Sequence, residues 1–114
     1  MTRSARILLG DILEAAELLE RYTAGLNRQE FAGNIEKQDA VARRLEIIGE
    51  SVKRLPKDLR DQHPDVPWRE IAGARDVLVH EYFRIDVDLA WDMVKHDVPD
   101  LATRIRAMVA TLEG

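Results

Sequence analysis

Four residues of this chain, Arg75, Asp76, His80 and Tyr82, have the types and the spacing that chemistry requires. On one helix, Arg75 and Tyr82 are seven apart and share a stripe, while Asp76 and His80 are four apart and can touch on the neighbouring stripe. Arg75 and His80 point about 140° from each other on a straight helix. One helix therefore brings them together poorly, which hints at a site completed at a dimer interface.

These side chains suit RNA cleavage without a metal better than other reactions. The reaction needs a base for the ribose 2′-hydroxyl and an acid for the leaving oxygen, and a histidine, with an ordinary pKa of about 6.5, can serve as either. A forked guanidinium stabilises the negative charge that develops on the phosphate oxygens. By themselves, type and spacing favour a simpler explanation, an Arg and a His satisfied by carboxylates where helices meet.

Other chemical sites have little support in the sequence. The histidines His63, His80 and His96 form no His-Glu-x-x-His pair and no pair four apart, so a zinc site is not expected. There is no glycine-rich phosphate loop and no nucleophile elbow. Glu46 and Glu50, four apart, are expected to lie on a solvated, charged helix face.

Heptad spacing predicts the two helices that precede the chemical segment. Leu8, Ile12, Ala15, Leu19 and Tyr22 form one stripe of a first helix. This helix should be capped by Ser4 and should end near Gly25 and Asn27. The second helix should run from about Asn34 to Leu55, where Pro56 stops it, on a stripe formed by Val41, Leu45, Ile48, Val52 and Leu55.

The second half of the chain predicts a connector and two further helices. Residues 56–67 hold three of the four prolines and leave room for one helical turn at Lys57 to Asp61. A third helix should start near Pro67 and carry Arg75 to Tyr82. The last should run from Val87 to Leu112, capped by Asp86 or Asp88, with a kink or a restart near Asp97 caused by Pro99.

Composition sets the class of protein. The 114 residues are 46% apolar and 33% charged, with no cysteine, which predicts one folded domain over residues 1–114 in a reducing, cytoplasmic compartment. The N-terminus resembles neither a signal peptide nor a membrane span. The net charge of −4 counts against broad binding to nucleic acid unless the basic groups are concentrated locally.

The stretch from Arg75 to Tyr82 matches the Arg-x4-His-x-Tyr signature of the HepT-like ribonuclease toxins of the HEPN superfamily. The flanks resemble the same family: Lys-Gln-Asp-Ala-Val at 37–41, Leu-Glu-Ile-Ile-Gly-Glu at 45–50, Pro-Trp at 67–68, Tyr-Phe at 82–83 and Asp-Val-Pro-Asp-Leu at 97–101. The resemblance covers nearly the whole chain.

What the resemblance implies is a helical homodimer in which Arg75 and His80 of both subunits face a shared cleft. The family members are toxins that cleave cellular RNA without a metal or other cofactor. A minimal nucleotidyltransferase antitoxin silences them by adding AMP to the tyrosine of the motif, here Tyr82. Asp76 takes a polar position where the family often has Asn, and is expected to support His80.

The resemblance also suggests where basic charge collects. Arg69, Arg75, Arg84 and Lys95 are expected to form a local basic cleft on an acidic body, doubled by dimerisation. The acidic remainder can serve as a surface for a basic antitoxin.

The sequence therefore predicts an all-α, up-and-down bundle of four to five helices, homodimeric, that acts as a metal-independent endoribonuclease. One alternative is a non-catalytic helical dimer that only binds a nucleotidyltransferase or a nucleotide. Another is a substrate-binding helical subunit for nucleotidyl transfer to a small molecule. RNA cleavage in the presence of a chelator separates the first reading from the other two.

Overall fold

The computed structural model describes residues 3–74 and 85–113, which are almost entirely helical. The elements are α1 (Arg3–Thr23), α2 (Arg28–Ala32), α3 (Ile35–Arg54), α4 (Lys57–Asp61), α5 (Trp68–Ala72), α6 (Val87–Asp92), a π turn (Met93–Asp97) and α7 (Val98–Glu113). The described ranges contain no β-strand, so the all-α prediction is confirmed. Because α6, the π turn and α7 follow one another directly, they count as one helix, and these ranges hold six helices rather than four to five.

The first helix is the central element of the core. It packs against α3 along most of its length and also against the π turn and α7. The predicted stripe is buried at Leu8, Ile12, Ala15 and Leu19, and Tyr22 packs partly buried against it. Ser4 lies inside the helix, so its assignment as the cap is wrong.

A short helix that periodicity did not predict follows α1. The chain leaves α1 through Gly25, whose φ of 78° is a left-handed conformation that glycine adopts without strain. Asn27 caps α2 rather than ending α1: its side chain accepts from Glu30 N–H, and the Glu30 carboxylate accepts from Asn27 N–H. Five residues with only Phe31 buried are too few to show a helical period.

The second predicted helix is α3, with bounds close to those expected. Asn34 caps it by accepting from Lys37 N–H at 3.0 Å. It ends at Arg54, because Leu55 is extended and Pro56 follows. All five residues of the predicted stripe are buried: Val41, Leu45, Ile48, Val52 and Leu55.

The connector folds as expected, but the third helix does not run unbroken from Pro67. The predicted turn is α4, and Trp68 and Ile71 are buried on α5. Helix α5 then ends at Ala72, and Gly73 closes it by donating its N–H to the Arg69 carbonyl at 3.0 Å. Glycine favours a helix end, which explains why α5 stops before Gly73.

The last helix is interrupted where the sequence placed a kink or a restart. Pro99 has no N–H to donate to Lys95 and cannot continue an α-helical ladder. The structure accommodates it by the π turn, in which Val98 N–H donates to the carbonyl of Met93, five residues back. The helix therefore widens by one turn and continues to Glu113 rather than breaking.

Gly49 allows α3 to approach the end of α5 closely. A Cβ atom on Gly49 would lie 3.3 Å from the Ala72 carbonyl oxygen and 3.5 Å from that of Ile71. Both neighbours are backbone atoms, which cannot rotate away as the end of a side chain can. A larger residue at Gly49 must therefore push α5 away from α3.

We expect Gly49→Val to lower the free energy of unfolding by about 1–3 kcal/mol, because the added methyl groups overpack the contact between α3 and α5. Gly10 is the matched control: it also lies within a long helix, but nothing would meet a Cβ there within 4 Å. Gly10→Val should change the free energy by less than about 0.5 kcal/mol. Urea unfolding measures both, and equal midpoints for the two variants would contradict the role given to Gly49.

Candidate active site

The segment that carries the predicted chemistry, Arg75–Tyr82, belongs to the stretch between the two described ranges. Arg75, Asp76, His80 and Tyr82 lie outside the described residues, as does Arg84. The structure does describe both points from which this stretch is attached, Ala74 before it and Ile85 after it. Their surroundings define what can position the site.

The upstream attachment is built on α5. Ile71 and Ala74 are buried in the core. The Trp68 indole Nε1–H donates to the carbonyls of His63 at 3.0 Å and Arg60 at 3.2 Å, which ties α5 to the end of α4. Together with the contact at Gly49, these bonds fix the backbone directly before Arg75.

The downstream attachment is the start of α6. Ile85 packs partly buried against the core. Asp86 caps α6 as predicted, its carboxylate accepting from Leu89 N–H at 3.0 Å. Ala90, one turn further, is fully buried. The chain that follows the signature is thus anchored within one helical turn.

Helix α2 holds α6 in place from outside. Arg28 donates to Asp88 at 2.9 Å and also to Asp92, and the rings of Phe31 and Trp91 lie 5.4 Å apart in a tilted pair. The hydrogen bonds from Arg28 to Asp88 and Asp92 raise the pKa of its guanidinium above the ordinary value. Helix α2, which the hydrophobic periodicity did not predict, therefore anchors the chain that follows the signature segment.

Lys95 is not free for the basic cleft that the sequence suggested. Its Nζ donates to the buried Thr23 hydroxyl at 2.9 Å and lies 5.0 Å from the centre of the Trp91 ring. Thr23 in turn donates to the Leu19 carbonyl at 2.9 Å. Lys95 thus ties the π turn to the end of α1.

Arg69, by contrast, lies on a basic groove that the sequence did not reveal as a unit. The groove, of about 1090 Å³, runs from the end of α3 past α4 to α5 and Gly73; we call it the α4–α5 groove. Its cationic side chains are Lys53, Lys57, Arg60 and Arg69. The run of four basic residues between positions 53 and 60 was the available signal.

A second cleft, next to Ala74, has the opposite character. It has a volume of about 640 Å³ and lies between α5 and the continuous last helix. Its walls are mainly apolar, while Glu70, Asp97 and Asp100 supply carboxylates beside the exposed His96. This lining disfavours a phosphate group.

Two negative findings concern the described ranges alone. Within residues 3–74 and 85–113, no group of three His, Asp or Glu residues is arranged to hold a metal ion. No helix in these ranges is long and apolar enough to cross a membrane.

Two carboxylates on α3, those of Glu46 and Glu50, lie near cationic side chains. Glu46 faces Arg43 at 3.8 Å and Glu50 faces Lys53 at 3.9 Å, each within one turn of the helix. These contacts are those expected of a charged helix face.

Comparison with known proteins assigns the chain to a family. The model of the ribonuclease HepT-like family matches residues 12–108. A "probable ribonuclease HepT" of Thermococcus cleftensis is 46% identical over 101 residues, which are 89% of this chain and 92% of that protein. A "putative RNase" of Methanocaldococcus jannaschii is 37% identical over 112 residues, 98% of this chain and 93% of that one.

A third relative is longer. It is a "gamma-glutamylcyclotransferase and putative RNase" of M. jannaschii, 41% identical over 113 residues, and the chain spans 51% of its length. No solved structure matches the chain. The match over residues 12–108, which include Arg75 to Tyr82, places this chain in the HepT-like ribonuclease family.

Proposed function

We propose that this protein is a metal-independent endoribonuclease that cleaves cellular RNA, with Arg75 and His80 as catalytic residues. The observation that carries the proposal is the family match, which spans the intact Arg-x4-His-x-Tyr signature. The anchored attachments on both sides support it, because a catalytic segment must be held by rigid elements.

In the proposed reaction, His80 exchanges protons with the ribose 2′-hydroxyl or the leaving oxygen. Arg75 binds the phosphate and stabilises the negative charge of the transition state. Asp76 supports His80. Nothing in this scheme requires a metal ion, since the histidine moves the protons and the guanidinium neutralises the charge.

The proposal includes a second copy of the chain and an antitoxin. Two subunits each contribute Arg75 and His80 to a shared cleft, which relieves the unfavourable angle between them on one helix. The protein acts as the toxin of a toxin–antitoxin pair in the cytoplasm. A minimal nucleotidyltransferase silences it by transferring AMP to Tyr82.

Purified protein should cleave RNA in the presence of EDTA. His80→Ala and Arg75→Ala should each reduce the rate by about a hundredfold or more, because they remove proton transfer and charge stabilisation respectively. His96→Ala is the matched control, since His96 is an exposed histidine outside the signature. Loss of wild-type activity in EDTA, or full activity of both signature variants, would contradict the proposal. Absence of any cleavage would favour the non-catalytic binding protein.

Light scattering should find a dimer at micromolar concentration, with an interface that includes the signature segment. The physical reason is that Arg75 and His80 serve one site more easily when a second subunit supplies the complementary pair. A stable monomer that retains full cleavage activity would refute the shared cleft while leaving the ribonuclease assignment intact.

Tyr82→Phe should keep cleavage activity but escape silencing by the nucleotidyltransferase. An AMP group on Tyr82 would bring a negative phosphodiester close in sequence to Arg75 and His80, where it would compete with RNA phosphates. Tyr22→Phe is the control, because Tyr22 lies on α1. Mass spectrometry after incubation with ATP and the partner should find AMP on Tyr82; a label on Tyr22, or continued silencing of Tyr82→Phe, would overturn this mechanism.

A further inference from the structure

We propose that the α4–α5 groove binds the phosphate backbone of the RNA strand on the upstream side of the signature segment. This inference rests on the proposed ribonuclease function and assigns that function a substrate-binding surface. The argument begins with the distribution of charge. The whole chain carries 17 basic and 21 acidic residues, whereas the groove brings together four cations and the three carboxylates Asp61, Asp65 and Glu70.

Two of the three carboxylates already have cationic partners. Asp61 accepts from Lys57 at 3.0 Å, and Asp65 is paired with Arg104, a residue outside the groove. The charge of the Asp65 carboxylate is therefore balanced by Arg104, which lies outside the groove, and does not offset a cation inside it. The field inside the groove is more positive than a count of its residues suggests.

Two guanidinium groups in the groove remain available. Arg60 and Arg69 form no side-chain ion pair with any residue in the described ranges. Phosphate oxygens are acceptors that a guanidinium binds well.

Two other clefts are less basic in the part of the chain that the structure describes. Among the residues that the structure describes, the lining of the cleft next to Ala74 has carboxylates and no Lys or Arg. The cleft between α1 and α7 balances Glu17 and Glu20 against Arg21 and Arg106. A polyanion is therefore directed to the α4–α5 groove rather than to these surfaces.

The groove also leads to the proposed catalytic segment. Its lining ends at Ala72 and Gly73, directly before the buried Ala74. Gly73 lies two residues before Arg75 in the sequence. A strand that occupies the groove therefore approaches the backbone that leads into the signature segment.

The chemistry of the lining indicates contact with the backbone rather than with the bases. Trp68, an aromatic residue of the described lining, is 8% exposed and its Nε1–H is already bonded to carbonyls, so it offers no face for stacking. No Asn or Gln that could read base edges is found among the lining residues that the structure describes. Lys and Arg contacts to phosphate position a strand without reading its sequence, so binding should be similar for different RNA sequences.

The test measures binding separately from cleavage, by fluorescence anisotropy of a labelled single-stranded 12-nucleotide RNA with the His80→Ala protein. Replacing Lys53, Lys57 and Arg69 by Gln in that background should raise Kd by about tenfold or more at moderate salt. The slope of log Kd against log salt should fall by about 2. Each phosphate contact with a single strand contributes about 0.7 to this slope, and the variant loses three such contacts. Circular dichroism checks that the variant is folded.

A control with the same change in charge removes Arg6, Arg21 and Arg106, which are exposed and lie outside the groove. It should leave Kd within about threefold of the parent protein, because distant surface charges are screened by salt. An equal loss of affinity in the control would show that net charge alone governs binding and would overturn the proposal.

A variant that is expected to bind RNA more tightly serves as a control for misfolding, because misfolding would weaken binding. Asp61→Asn removes a groove carboxylate and releases Lys57, so it should tighten RNA binding severalfold. Unchanged or weaker binding by Asp61→Asn would contradict the proposal.

The outcomes separate this inference from the ribonuclease function on which it rests. If wild-type protein does not cleave RNA but the groove variants lose binding, the groove stands and the enzymatic assignment falls. If wild-type protein cleaves RNA and the Lys53, Lys57 and Arg69 triple variant cleaves it with unchanged KM, the assignment stands and the groove proposal falls.

Discussion

The approach of α3 to the carbonyl end of α5 is the contact on which the position of the signature segment depends. It exists because Gly49 has no side chain at the point where the Ala72 and Ile71 carbonyls come closest. The buried side chains of α3 that flank it, Leu45 and Val52, pack in the same core as α1. The backbone that leads into the signature is therefore set by a core contact and not by a surface loop.

The other end of the signature is held by aromatic packing together with polar contacts. Arg28 reaches from α2 to two carboxylates on α6, while Phe31 is fully buried beside Trp91. Exposed ion pairs stabilise a fold only slightly, so the aromatic pair supplies most of the attachment and the guanidinium selects its orientation. The two attachments differ in kind, one through backbone contact and one through side chains.

The net charge of the protein does not describe the local charge of its clefts. The acidic total of −4 disfavours RNA binding, yet the cleft beside Ala74 collects carboxylates while the α4–α5 groove collects cations. Pairing sharpens this separation, since Arg104 neutralises Asp65 from outside the groove and Lys95 is bound by Thr23. The two clefts therefore differ in charge, although both are lined by residues of α5.

The sequence alone determined the long helices, their buried stripes and the family. Stripes such as Leu8 to Leu19 and Val41 to Leu55 are set by local periodicity, and Asn34, Pro56, Asp86 and Pro99 act on the backbone beside them. Tertiary structure decided the short helix α2, the end of α5 at Gly73, the burial of Gly49 against α5 and the pairing of Lys95 with Thr23. These features join residues far apart in the chain, or are too short to show a period, and no local pattern encodes which distant group will be the neighbour.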